Sequence, residues 1–159
     1  MKKIFFIVAI CATALVEQSF AQDTSGPSPF YPLLHSYYDI KDALVAGNAN
    51  TASMQASEFV KTAKSIDNKV FSADTRDAFV KDAEAIAATK DIKDQRENFA
   101  GFSTNMAELA KTVKLSAEPI YEAYCPMKKS YWLSSDKAIK NPYFGNAMLT
   151  CGKVTETIQ

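Results

Sequence analysis

Residues 91–113 read DIKDQRENFAGFSTNMAELAKTV. Ile92, Phe99, Phe102, Met106, Leu109 and Val113 recur at three- and four-residue steps, which puts them on one stripe of a helix. Asp91 stands just before that run. Its carboxylate suits the first unpaired N–H groups, so it caps the helix start. Gly101 inside the helix costs about 1 kcal/mol against alanine, and a close crossing with another helix is expected there. A long helix that is apolar on one face must bury that face against other elements.

Three shorter patterns upstream supply the cover. Ser72 caps a helix whose face is Phe79, Ala83 and Ile86, flanked by Val80 and Ala87, with Asp74 and Asp77 near its positive end. Before it, Ala52, Ala56, Phe59, Ala63 and Ile66 mark a helix capped by Asn50 or Thr51 and ended at Asp67-Asn68. The first helix starts near Pro32, whose fixed φ suits a first turn. It presents Leu33, Tyr37, Ile40 and Leu44, and stops at Gly47. Met54 and Met106 read as core.

Downstream, Pro119 breaks the helical pattern. Ile120 to Cys125 has the β-branched and aromatic content of a strand, with Tyr121, Ala123 and Cys125 on one side. Lys153 to Gln159 alternates weakly through Val154 and Ile158 and is its expected partner. Between them, Ser134 or Ser135 caps a short turn through Lys140. Pro142 pushes the residue before it away from helix. Gly145 opens a new turn carrying Met148 and Cys151, which Gly152 ends. The predicted fold is mainly α: an antiparallel four-helix bundle with a small C-terminal β-strand pair and turn appendage.

The chain begins with Lys2 and Lys3, a short apolar run from Ile4 to Ile10, and Ser19-Phe20-Ala21. That order predicts a secretory signal peptide over 1–21, cut after Ala21. Cys11 lies inside the apolar run and leaves with it. Residues 22–30, with Gly26, Pro27 and Pro29, read as a flexible lead. Residues 31–159 form one helical-bundle domain, with the cysteine- and methionine-bearing appendage over 118–159. The expected location is periplasmic or secreted.

Acidic and basic residues balance, with 18 of each in the whole chain. No basic block suits nucleic acid or an anionic membrane surface. With one histidine, His35, on a scaffold helix one turn before Asp39, no Ser/His/Asp arrangement is defensible. There is no glycine-rich phosphate loop. Glu84, Glu97 and Glu108 fall on wet helix faces. The sequence therefore carries no enzyme signature, and a solvated or satisfied His35 outweighs a ligand role. A lone histidine also excludes a blue-copper site and a His-rich zinc site.

Cys125 and Cys151 remain after export, an even pair that in an oxidising compartment is either bridged or ligating. Cys125 and Met127 are two apart, which on an extended chain points both sulfurs to one side. Met148 and Cys151 are three apart, which on a helical turn puts both on one face. If the segments meet, two thiolates and two thioethers converge, and such soft donors select copper(I) or a similar soft ion. The alternative is a structural Cys125–Cys151 disulfide. It would close a loop of roughly 25 residues and stabilise by about 3 kcal/mol. The methionines could equally be packing. Tyr131-Trp132 and Tyr143-Phe144 read as a small second core over the strand pair, the other reading being an exposed patch for a partner.

The terminal segment resembles a known family. Tyr124-Cys125-Pro126-Met127, Trp132-Leu133-Ser134, Asn141-Pro142-Tyr143-Phe144-Gly145 and Met148-Leu149-Thr150-Cys151-Gly152 are similar to the pattern of the exported domain of unknown function 3347 family. Tyr38-Asp39-Ile40-Lys41-Asp42-Ala43-Leu44-Val45 also resembles its first helix. Members of that family are often encoded with, or fused to, periplasmic adaptor subunits of heavy-metal efflux pumps. The resemblance implies such an adaptor as partner and supports Cys125, Met127, Met148 and Cys151 as ligands. One departure is visible: only Lys128 to Tyr131 separate the Cys-Pro-Met from Trp132, where the family carries a longer, glycine-containing loop. Two functions follow: an exported soft-metal binding protein linked to metal efflux or homeostasis, or a non-enzymatic interaction module with a structural disulfide.

Overall fold

The computed structural model describes residues 28–159. The expected signal peptide and the start of the lead lie outside the described residues. Four helices come first: α1 (Tyr31–Val45), α2 (Ala49–Ser65), α3 (Ala73–Ala87) and α4 (Ile92–Thr112). Three strands follow: β1 (Ile120–Cys125), β2 (Ser130–Ser134) and β3 (Lys153–Ile158), with a short 3-10 turn at Gly145–Ala147. Among the described residues, no helix is long and apolar enough to cross a membrane.

Local chemistry sets the helix ends. Ser72 Oγ accepts from Thr75 N at 3.3 Å, and Asp91 Oδ1 accepts from Lys93 N at 2.7 Å, as the sequence predicts. The cap of α2 is Asn48, whose Oδ1 accepts from Thr51 N at 3.0 Å, and not Asn50 or Thr51. Gly47, at φ 71°, explains the shift. Its N–H reaches Leu44 O and that of Asn48 reaches Ala43 O. This paired closure of α1 needs a left-handed residue at Gly47, and it delivers Asn48 directly to the next helix.

Consecutive helices pack on one another, and α4 also packs on β2. Aromatic rings fill the shared core. Phe59 meets Phe102 edge to face at 4.7 Å, and Tyr37 stacks on Phe99 at 5.4 Å. Trp132 and Tyr143 are buried and meet edge to face at 6.1 Å, joining the sheet to the helices. These two rings are core, while Tyr131 of the same expected cluster is exposed. The chain leading into α1 is anchored: Ser28 Oγ donates to Lys114 O at 2.6 Å, and Phe30 packs on Phe71.

Several expectations change. The sheet has three antiparallel strands in the order β2-β1-β3 rather than a single pair. Tyr121 to Cys125 pair with Ser134 to Ser130 on one side, and β3 lies on the other, with a bulge at Thr155. Met54 is exposed, because its position on α2 faces away from the core, whereas Met106 is buried as expected. Ile66 is the C-cap of α2 and only partly buried. Nothing crosses closely at Gly101, which faces solvent. No helical turn forms over 135–140.

Candidate functional site

The β1 strand ends at Cys125, and Pro126 to Lys129 turn the chain into β2. Lys129 takes a left-handed φ of 57°, and its N–H closes the turn on Cys125 O at 2.8 Å. The Lys128 N–H donates to Cys125 Sγ at 3.4 Å. Lys128 Nζ pairs with Glu97, tying the turn to α4. Cys125 is fully buried, yet Met127 is 62% exposed. The two sulfurs do not share a side, because the extended chain needed for that alternation stops two residues earlier.

Cys151 reaches the same end of the sheet on the segment that leads into β3. Lys153, the first residue of β3, pairs with Tyr124, so the residues just before β3 lie beside the end of β1. Gly152 makes the approach possible. Its φ is +149°, and a Cβ there would stand 2.7 Å from the Trp132 ring and 2.9 Å from Tyr124 O. Both cysteines are free thiols, Cys151 is partly buried, and one amide, Asn141 Nδ2, reaches Cys125 Sγ and the Cys151 carbonyl, so the two residues are neighbours. Burial first, then the neighbouring Cys125, pushes the Cys151 thiol above its ordinary pKa. Met148 ends the 3-10 turn, and Cys151 lies beyond it. The two therefore do not share a helical face, and Met148 is 39% exposed.

Asn141, which the sequence marks as part of the Asn141-Pro142-Tyr143-Phe144-Gly145 motif but not as a site residue, is completely buried at the centre of this arrangement. Its Nδ2 donates to Cys125 Sγ at 3.2 Å and to Cys151 O at 2.7 Å. Its Oδ1 accepts from Tyr143 N at 2.8 Å. Its advance signals were its place before Pro142, which disfavours a helical backbone at Asn141, and its position at the head of the Asn141-Pro142-Tyr143-Phe144-Gly145 motif. Thus, of the four sulfur candidates, the structure brings together Cys125 and Cys151, and leaves Met127 and Met148 as exposed thioethers outside the pair. Among the described residues, no group of three or more His, Cys, Asp or Glu side chains converges.

His35 belongs elsewhere. Its Nδ1 lies 3.3 Å from Asp39 Oδ2 on the surface of α1. It borders a cleft of about 330 Å³ with Tyr31, Tyr38, Asp39, Asp42 and Glu118, which none of the sulfur residues lines.

The helical body carries the identity. Residues 33–118, more than half the chain, match the model of a family described as Protein of unknown function (DUF3347), and the chain belongs to that family. The matched span begins inside α1, runs through α2, α3 and α4, and ends before β1, so the cysteine-bearing sheet lies beyond it. No curated protein and no solved structure matches the chain.

Proposed function

We propose that this is an exported, non-enzymatic protein that takes up copper(I) or a similar soft ion between Cys125 and Cys151. Its role would be to buffer that ion or pass it to an efflux partner. An antiparallel four-helix bundle would be the scaffold and the sheet the binding element. The observation that carries the reading is the environment of the Cys125 sulfur. It is dry, it stands beside the segment that carries a second free thiol, and it accepts two N–H groups, from Lys128 and Asn141. N–H donors at that distance hold the sulfur in one position beside the Cys151 segment. They also orient it as outer partners orient other metal ligands. Two neighbouring soft donors, with no convergent carboxylates or imidazoles among the described residues, fit a soft monovalent ion better than zinc or a hard cation.

The bound ion would be cargo, held by the two thiolates. Met127 and Met148 are exposed thioethers near each cysteine in sequence. They suit transient contact during transfer rather than resident coordination. The family's association with periplasmic efflux adaptors makes such an adaptor the proposed recipient.

The reading is tested by anaerobic titration of the reduced protein with copper(I) against a chromogenic copper(I) chelator. One ion per chain is expected, lost in Cys125→Ser and Cys151→Ser and kept in Met127→Leu. Wild-type protein that yields all copper to micromolar chelator would sink the reading.

A second reading, the interaction module with a structural disulfide, draws on the same nearness of Cys125 to the Cys151 segment. Intact mass of the exported protein, with and without alkylation, separates the two. A mass two hydrogens light with no metal favours the clip.

A further inference from the structure

We infer that Asn141 is the positioning residue of the cysteine pair, its one side chain locking the Cys125 thiol to the main chain at Cys151 so that the two sulfurs form a preorganised unit. This deepens the metal-binding reading and rests on it for the identity of the ligand alone.

The hydrogen bonds around Asn141 leave its amide one orientation. The Tyr143 N–H can only donate and the Cys151 carbonyl can only accept. Oδ1 must therefore face Tyr143 and Nδ2 must face Cys151, which sends an N–H to Cys125 Sγ as well. The main chain of Asn141 is equally committed. Its N–H donates to Leu149 O at 2.8 Å, and its carbonyl accepts from Gly145 N at 3.0 Å. Every polar group of a completely buried residue is thus paired.

The anchor does not depend on the cysteines. Gly145 takes φ +53°, and a Cβ there would stand 2.8 Å from Val45 O and 2.4 Å from Arg96 Nη2. The 141–145 turn is therefore seated against the end of α1 and the side chain of α4. Arg96 Nη2 itself donates to Leu44 O at 2.8 Å. Through this turn the helical body dictates where the Asn141 amide stands, and the amide dictates how Cys125 and the Cys151 segment face each other. Without it, no side chain would bridge the Cys125 sulfur to the Cys151 segment, and backbone contacts at the end of the β1–β3 ladder would hold them less tightly. Fixing two ligands before binding raises their effective concentration toward each other and toward any shared partner.

The test compares wild type, Asn141→Asp and Asn141→Ala in thiol–disulfide exchange with glutathione. In this exchange Cys125 and Cys151 lose two protons and two electrons and form one S–S bond. One glutathione disulfide is cleaved to two thiols in return. The equilibrium constant reports the effective concentration of the pair in the folded chain. Asn141→Asp keeps the shape and the acceptor for Tyr143 N–H but removes donation to Cys125 and Cys151. With folding verified by circular dichroism, the constant should fall by about threefold or more in either variant. A smaller change in a folded variant would overturn the inference. If neither variant folds, wild type decides: a native constant at least threefold above that in guanidinium upholds preorganisation, and no excess refutes it. Copper(I) competition on the same samples separates the two claims. No copper uptake by wild type, with the exchange constant still shifted by the variants, removes the metal reading and leaves Asn141 its role. Copper uptake with an unshifted constant does the reverse.

Discussion

Replacing Tyr37 by phenylalanine should separate the helical body from the sheet by one hydroxyl. Tyr37 is fully buried on α1. Its Oη lies 2.5 Å from Ser103 Oγ on α4 and accepts from Leu133 N on β2 at 2.9 Å. Phenylalanine preserves the ring contacts with Phe99 and Phe102. The loss is therefore polar. Leu133 N–H points away from β1 toward the helices and would keep no partner, which costs about 1–3 kcal/mol for a buried donor. Ser103 loses less, since a hydroxyl can rotate toward a carbonyl one helical turn back. We expect about 2 kcal/mol in all. Urea unfolding followed by the single tryptophan, Trp132, reads it next to the perturbed strand. Adding Ser103→Ala to Tyr37→Phe should cost less than about 0.5 kcal/mol more, because its partner is already gone. A Tyr37→Phe variant within about 0.5 kcal/mol of wild type would show that this hydroxyl does not hold the layers together.

Four further outcomes are expected. Burial drives the pKa of Tyr37, Tyr38 and Tyr143 upward, and hydrogen bonds to Glu122 and then Glu156 raise that of Lys111. These groups hold protons more tightly when folded. Their stabilisation is complete below about pH 10 and is lost as pH rises beyond it, by up to about 1.4 kcal/mol per pH unit for each buried tyrosine. Denaturant midpoints measured from pH 8 to 11.5 should be flat and then fall, less steeply in Tyr37→Phe. Gly145→Ala and Gly152→Ala should each lose about 2–3 kcal/mol, since both need positive φ and both would strike backbone oxygen; thermal unfolding checks this. Lys111→Met removes the 2.9 Å partner of buried Glu122 and, because Lys111 itself is partly solvated, should cost about 1–2 kcal/mol in urea, against near-neutral exposed Lys61→Met. Brief native alkylation with peptide mapping should label Cys151 well before the buried Cys125; equal labelling would contradict the packing around β1.

The helices were legible because their chemistry is local. Ser72 and Asp91 announce their caps, and the stripe from Phe99 to Leu109 has only one period that fits. Asn48 was missed because the closure of α1 around Gly47 hands the chain straight to α2, with no spare turn for Asn50. The β2 strand escaped notice for another reason. Trp132, Leu133 and Ser134 are all buried, so no alternation betrays a strand covered by α4 and capped by Tyr37 from α1. At the site, the cysteines were visible and their meeting was a fair inference from strand partners. The placement of Met127 was not, because it depends on where β1 stops and on one left-handed residue, Lys129. Asn141 could be weighed only once residues far apart in sequence had been brought around it.

The order of contacts along the chain also sets a timetable. Each helix packs on its sequence neighbour, and β1 meets β2 through a four-residue turn. Such local contacts close quickly, whereas longer loops wait on a larger entropic barrier. The segment from Ser135 to Gly152 must be gathered before β3 can zip onto β1. Throughout that delay the central strand has an open edge, and Cys125 lacks the Asn141 amide and its partner thiol. Any chain in which β3 has yet to pair with β1 presents its thiols to ions, oxidants and other chains, and pairing of β3 closes that exposure.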